Sequence, residues 1–191
     1  MIPLALMFLI ATYVFFERMM TIAKAAKVPE SFMNNVKDLV LKGDANGARI
    51  LCSQNDTPIA RIVEKGILRI GKPIENIEKS MENTGKLEIY KLEKNLVILT
   101  IIAGIAPMFG FLGTIAGMIQ TFFHISITSD ITLGSIAEGI YVKMVTSATG
   151  LMIGIFAYIA YSYLNAQIDK VVNKMEAASA EFIDILHAPV K

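Results

Sequence analysis

Charged and apolar residues are separated into long blocks along this chain. Met1–Phe16 carries no charged residue. Glu17–Asn95 is 79 residues long and holds 14 Lys/Arg and 11 Asp/Glu. Leu96–Phe123 is uncharged over 28 residues, and Met144–Ile168 over 25. The stretch between those two holds only Asp130, Glu138 and Lys143, and the tail from Asp169 to Lys191 is charged again. A helix that crosses a bilayer needs about 20 apolar residues, so the second and third uncharged blocks each predict a span. The first block, at 16 residues, is short for one. A secretory signal peptide is the rival reading there, but the block lacks a basic start and a small-residue cleavage site. A helix anchored at one end by Glu17 and Arg18 fits better, with either further residues ahead of Met1 or Met1 at the interface.

The polar blocks read as helical. Phe32, Val36, Leu39 and Val40 recur at helical spacing, and Gly43 stops that helix. Thr57 followed by Pro58 is an N-cap with proline at the first helical position. Ile59, Ile62, Val63, Gly66, Ile67 and Ile70 form the inner face of the helix it opens. Gly71-Lys72-Pro73 breaks the chain. A new stripe then runs Ile74, Ile77, Met81, Gly85, Ile89, Leu92, Leu96, Leu99 in steps of three or four, which predicts one unbroken helix into the second span. Glu75–Lys79 and Glu82–Lys86 are pairs in the favourable i,i+4 order. Ile168, Val171, Val172, Met175, Phe182 and Ile185 carry the third span into the tail in the same way. The predicted fold is all-α: an integral membrane protein with three transmembrane helices, two of them long and extending into a helical cytoplasmic region. The divisions are span one at 1–16, a helical region at 17–95, span two at 96–123, a short loop at 124–135, span three at 136–168 and a helical tail at 169–191.

Composition agrees and narrows the function. The chain is 54% hydrophobic and 18% charged, against roughly 45–50% and 25% for soluble domains, and its mean hydropathy is +0.54. A net charge of +1 provides no footprint for nucleic acid. One cysteine and two histidines exclude a disulfide framework and a Cys/His metal cluster within one chain. There is no dinucleotide, Walker or nucleophile-elbow motif, so neither a cofactor nor an enzyme is expected. The large polar block holds 14 of the 18 basic residues and Phe123–Glu138 holds none. By the positive-inside rule the block and tail are cytoplasmic, and the N-terminus and short loop lie outside. Cys52 then sits in a reducing compartment, in keeping with a lone thiol.

The chemistry available inside the membrane is hydroxyl chemistry. Thr100, Pro107, Thr114 and Thr121 recur every seven residues, along one slowly drifting stripe of span two, with Gly110, Gly113 and Gly117 close to it. Span three places Lys143, Ser147, Gly150 and Gly154 on one face, with Thr146 beside it. The bland reading is close helix packing on small residues, with threonines bonded back to the backbone. The sharper reading is a narrow polar path. Pro107 either kinks its helix or leaves a carbonyl for a neighbour to satisfy. Glu138 is either interfacial or part of the path. Lys143 either snorkels to the headgroups or faces a subunit contact or the pore. His124 sits at the outer end of span two. Glu138 and Lys143 are five apart, about 140° around a helix, so they pair better between neighbouring subunits than within one chain. Neither uncharged span has an Asp, Glu or His in its middle. A proton-driven device needs a titratable group there, so a partner must bring the carboxylate. Span one is apolar nearly all round, without a small-residue stripe, and is expected to face lipid.

The run Gly104-Ile105-Ala106-Pro107-Met108-Phe109-Gly110-Phe111-Leu112-Gly113-Thr114-Ile115-Ala116-Gly117-Met118-Ile119 resembles the second-span motif of the MotA/TolQ/ExbB proton-channel family. Gly139-Ile140 and Thr146-Ser147-Ala148-Thr149-Gly150-Leu151 resemble its third-span motif. Glu17-Arg18, Gly43-Asp44, Cys52 and Pro58-Ile59-Ala60-Arg61 fit its cytoplasmic part. The likeness is nearest to the ExbB branch, then TolQ, and weaker to the four-span MotA branch. It implies a homo-oligomer, a pentamer, enclosing a dimer of a single-span ExbD-like partner that supplies an intramembrane aspartate. It further implies a TonB-like protein that carries the work to the outer membrane, and a place in the bacterial inner membrane. The family's small polar pore residues fall on Thr114 and Ser147, where the family usually has threonine at the second place. The family often has a glutamate in a G-I-x-E-A-L stretch of span three. Counted from Gly139-Ile140 that place is Val142, followed by Lys143, with Glu138 one turn earlier on the same face. Two other classes compete: a small-solute transporter, against which there is no inverted repeat, and a passive membrane scaffold.

Overall fold

The computed structural model describes residues 2–29, 31–128 and 133–187; within its helices, the side chains of Glu138 and Val142, among a few others, lie outside the described residues. Seven helices follow in order: α1 Ile2–Ala26, α2 Phe32–Leu41, α3 Ala45–Ser53, α4 Pro58–Ile67, α5 Ile74–Glu93, α6 Leu96–Thr128 and α7 Leu133–His187. No strand occurs among the described residues. The all-α expectation therefore holds, and α1, α6 and α7 each contain a stretch long and apolar enough to cross a membrane. The chain forms two compact units: Met1–Glu17 with Asn95–Tyr163, and Arg18–Lys94 with Leu164–Lys191.

The first unit contains the start of α1, all of α6 and the front of α7. Its core is thin: Leu4, Ala11 and Val14 from α1, Leu99, Ile102 and Ala106 from α6, and Ile153, Ala157 and Ala160 from α7 are buried. Aromatic rings join α1 to α7, with Phe8 and Phe156 centroids 5.5 Å apart and Phe15 6.4 Å from Tyr163. Around this core the large side chains face outward; Phe111, Phe123, Leu9 and Ile155 are all more than half exposed. A water-soluble monomer rarely shows a contiguous apolar patch of more than a few hundred Å², so this unit is built for a lipid surround.

The second unit is a conventional core built on capped helices. Gly43 (φ 78°) and Gly71 (φ 92°) take the left-handed turns that end α2 and follow α4, the positions where a glycine costs least. Asp44 opens α3 by accepting from the Gly47 N–H at 2.8 Å. Thr57 opens α4 by accepting from Ala60 N–H at 3.3 Å, with Pro58 at the first position. The buried face of α4 meets Met81 and Phe182 where Gly66 makes room. A Cβ on Gly66 would lie 2.5 Å from Phe182 Cε1 and 2.7 Å from Met81 Sδ. Along α7, Leu164, Ile168, Val171, Met175, Ala178, Phe182 and Ile185 are buried in steps of three and four. Cys52 is buried in this core, and burial, aided by the nearby Glu64 charge, raises its thiol pKa to about 12. It is an inert packing residue.

Four expectations need correction. The helix from Ile74 does not run unbroken into span two: α5 ends at Glu93, Lys94 is extended (ψ 134°), and Asn95 turns left-handed at φ 68° before α6 begins. Leu92, Leu96 and Leu99 are all buried, so the apolar spacing continued across a break that only backbone hydrogen bonds register. Asparagine is among the few residues that tolerate this turn. The break leaves the last α5 carbonyls without helical partners, and Arg18 Nη1 donates to the Lys91 carbonyl at 3.2 Å. Secondly, α1 does not stop at the Glu17-Arg18 pair but runs on to Ala26, and its buried residues Leu4, Ala11, Arg18 and Ala25 recur every seven. The small-residue stripe absent from the sequence reading is therefore present, with Ala11 and Ala25 in it. Thirdly, α6 extends to Thr128 and α7 begins at Leu133, so helix occupies most of the loop expected at 124–135; Asp130 lies outside the described residues. Finally, Ile70 is 41% exposed, because α4 ends three residues before it.

Candidate functional site: the glycine-lined contact of α6 and α7

The helices α6 and α7 meet along a line of residues without bulk. At Gly150 an added Cβ would lie 2.7 Å from the Ala106 carbonyl oxygen and 2.9 Å from Gly110 Cα. At Gly110 it would lie 3.1 Å from the Ser147 carbonyl oxygen. These are backbone-to-backbone approaches, the kind that small residues make possible where lipid supplies no hydrophobic drive. Pro107 has no N–H, which frees the Ala103 carbonyl one turn back. Gly154 covers that spot: its Cβ would sit 2.7 Å from the proline ring and 3.0 Å from the Ala103 oxygen. α6 continues as helix through Pro107.

Further along, the contact becomes polar. Gly113 faces the Thr146 methyl, where a Cβ would lie at 3.1 Å. Gly117 is buried beneath the stem of Lys143, which occupies the space a side chain would take. The Lys143 ammonium donates to Thr121 Oγ1, and the Thr121 hydroxyl donates back to the Gly117 carbonyl at 3.1 Å. Thr114 donates to the Phe111 carbonyl at 2.6 Å, which leaves its oxygen free to accept. Thr114, Thr121, Lys143, Thr146 and Ser147 are all half-buried. Thr114 lies one turn beyond Gly110, which packs on Ser147, so both hydroxyls belong to one stretch of the contact. Thr100 is exposed and takes no part. The side chain of Glu138 lies outside the described residues. His124 is exposed.

Lys143 thus bridges the two helices of its own chain, beside both alternatives weighed from the sequence. Lys143→Met is expected to reduce coupled proton work several-fold while Lys143→Arg retains part of it. The structural cost is about 0.6–2 kcal/mol, the worth of one membrane hydrogen bond. Gly117→Val should reproduce the loss by filling the space of the lysine stem. Energy-dependent uptake, normalised to complex yield, checks both; unchanged uptake in Lys143→Met would leave the lysine without a role in coupling.

A second ionised cluster, in the other unit, escaped the sequence reading. Glu88 is 3% exposed. Its carboxylate accepts from Arg61 Nη2 at 2.6 Å and from Lys91 Nζ at 2.7 Å, and Arg61 also pairs with Asp56. Burial alone raises the pKa of Glu88, but the hydrogen bonds and charges of Arg61 and Lys91 outweigh it and hold the group below the usual carboxylate range. The signal was available: Glu88 continues the spacing Ile77, Met81, Leu92, an acid inside an apolar stripe. Removing one partner of a buried pair costs about 3–5 kcal/mol. Arg61 and Lys91 remain partly exposed, so Glu88→Gln should cost about 2–3 kcal/mol and Lys91→Met less than about 1 kcal/mol. The Glu88 contribution is fully present above the pKa of an unfolded glutamate and is lost as pH falls through the lower folded value. Thermal midpoints of the purified protein between neutral and acid pH check both statements; equal effects of the two substitutions would contradict them.

Buried glycines beneath hydroxyls and a lysine, on helices clothed in apolar side chains, define an all-α membrane protein whose polar groups are held between its spans. Comparison with known families agrees. Residues 54–177 match the model of the MotA/TolQ/ExbB proton channel family, and the chain belongs to that family. It is similar to a biopolymer transport protein ExbB homolog of Methanothermobacter thermautotrophicus, 32% identical over 74% of this chain and 50% of the relative. It is also similar to the Tol-Pal system protein TolQ of Pseudomonas aeruginosa, 29% identical over 61% of the chain and 51% of TolQ. Biopolymer transport protein exbB1 of Vibrio cholerae is 34% identical over 46% of the chain and 39% of the relative. The chain spans about half the length of these curated relatives.

Proposed function

We propose that this chain is an ExbB-type proton-channel subunit of an inner-membrane motor. It forms a pentamer around a single-span ExbD-like partner and uses the proton motive force to energise TonB-dependent transport across the outer membrane. The observation that carries the reading is the α6–α7 contact, where hydroxyls and one lysine are held at membrane depth and the uncharged runs supply no carboxylate of their own. Each proton crossing the full potential releases about 2.3 kcal/mol per 100 mV. Thr114 and Ser147 form the polar lining that serves the partner's aspartate, and Thr121, Thr146 and Lys143 extend it, with Thr100 and Glu138 nearer its ends. Gly110, Gly113, Gly117, Gly150, Gly154 and Pro107 hold the two helices close enough to form it. The spans are α1, α6 and the front of α7. The helical region and tail are cytoplasmic, the N-terminus is periplasmic, and no enzymatic step or cofactor is involved. Similarity to TolQ supports a second reading, in which the same channel serves outer-membrane integrity.

The test is proton flux into liposomes carrying a pH-sensitive dye. Flux with an aspartate-bearing single-span partner and none without it is the expected result. Solute uptake in place of proton flux would establish a transporter, and the absence of both a scaffold.

A further inference from the structure

The cytoplasmic helix α5 separates two surfaces of opposite charge. On one side, between α5 and α7, lies a groove of about 570 Å³. Its floor is apolar, with Met81 and Met175, and its rim holds Glu78, Glu82, Glu176 and Asp184 against the single cation Lys86. That lysine is already paired with Glu82 at 2.6 Å. On the other side, between α4 and α5, lies a shallower cup of about 370 Å³ whose charged lining residues are all basic: Lys65, Arg69 and Lys79. Leu87 stands within this cup, 62% exposed. The α5 residues that line the two sites, Glu78, Glu82 and Gly85 for the groove and Lys79, Asn83 and Leu87 for the cup, project to nearly opposite faces of that helix.

We infer that the acid-rimmed groove of one chain receives the basic, leucine-bearing cup of a second copy of the same chain. Three observations lead there. Four carboxylates facing one lysine meet three cations facing no acid, so the charges are complementary and an exposed leucine has an apolar floor to enter. The groove cannot pair with another groove, because like charges juxtaposed at an interface cost several kcal/mol, and this removes the two-fold arrangement. Complementary patches on opposite faces of one element generate a head-to-tail contact, which closes into a ring when the rotation allows. This inference rests on the oligomeric part of the proposed function and gives it a cytoplasmic surface; it does not depend on proton conduction.

The test uses the full-length protein in detergent, without any partner. Leu87→Cys and Ser179→Cys are combined in one chain; Ser179 lines the groove, and the native Cys52 is buried with a raised pKa. Oxidation should yield a ladder of covalently linked copies. Reversal of the rim (Glu176→Lys with Asp184→Lys) should cut the ladder by about tenfold. Reversal of the cup (Lys65→Glu with Lys79→Glu) should do the same, and a chain carrying both reversals should recover it. The altered side chains are exposed, so folding is preserved, and the unaltered size of the second unit's protease-resistant core verifies this. A ladder indifferent to either reversal overturns the inference, as does failure of the double reversal to recover it, or cross-linking only within a chain. Loss of proton flux with an intact ladder would strike the proposed channel function and leave this contact standing.

Discussion

Thr114→Val combined with Ser147→Ala is expected to abolish proton-driven work in a protein that still folds and assembles. Both hydroxyls are half-buried beside the α6–α7 contact and lie within uncharged runs. A carboxylate brought there must be neutral or find hydrogen-bond donors, because a bare charge in that surround is too costly. A hydroxyl donates to the ionised acid and accepts from the protonated one. It therefore serves both states of a proton carrier without titrating itself. Valine keeps the shape of threonine and removes the donor, and alanine does so for serine. The packing at Ser147 is made by its backbone against Gly110, so it survives the change. Each lost hydrogen bond costs about 0.6–2 kcal/mol, which reduces function in the single variants and leaves assembly intact. The measurement is energy-dependent uptake through an outer-membrane receptor, scored beside the yield of complex. Full uptake in the double variant would reduce the threonine stripe to packing.

Gly150→Val is expected to act in the opposite way and remove the folded complex altogether. The atoms its Cβ would meet at 2.7–3.1 Å are the Ala106 oxygen and the Gly110 backbone. A side chain in the way can change rotamer, but a helix backbone in the way can only move as a body. Overpacking of this kind costs about 1–3 kcal/mol in adaptable cores and more where the obstacle is rigid. Because Gly110 and Gly150 face each other, the helices would part along the whole contact. Gly104 provides the comparison, since nothing lies within 4 Å of a Cβ there; Gly104→Ala should change stability by less than about 0.5 kcal/mol. Size-exclusion yield and protease resistance distinguish the two. Normal complex from Gly150→Val would mean that this contact does not hold the spans together.

Much of this was legible in the residues because lipid imposes coarse, local demands. Uncharged runs mark α6 and α7, and Thr57-Pro58 and Gly43 mark helix ends through the chemistry of a single turn. The glycines of α6 and α7 were recognisable as packing residues, and the structure pairs them: Pro107 with Gly154, Gly110 with Gly150, Gly117 with Lys143. What escaped was of two kinds. The break at Lys94–Asn95 is a backbone event inside a side-chain pattern that continues, so periodicity could not report it. Glu88 and Arg18 are charges buried in apolar stripes, and a reading that assigns acids and bases to solvent passes over them. Their burial became evident only with their partners: Arg61 and Lys91 for the one, the Lys91 carbonyl for the other.

The unbroken course of α7 has a consequence for how this protein can change over generations. Its front half must aim Lys143, Gly150 and Gly154 at α6, and its rear half must aim Ile168, Val171, Met175 and Phe182 into the cytoplasmic core. Helical continuity over 55 residues locks those two bearings to one another. A single residue inserted near Asn165 would turn one half by about 100° relative to the other and ruin whichever face lost its alignment, while an insertion of seven would nearly restore both. The left-handed turn at Asn95 frees α5 and α6 from any such bond, since a joint of that kind absorbs a change of register. Length variation should therefore be tolerated ahead of the second apolar run and refused after the third.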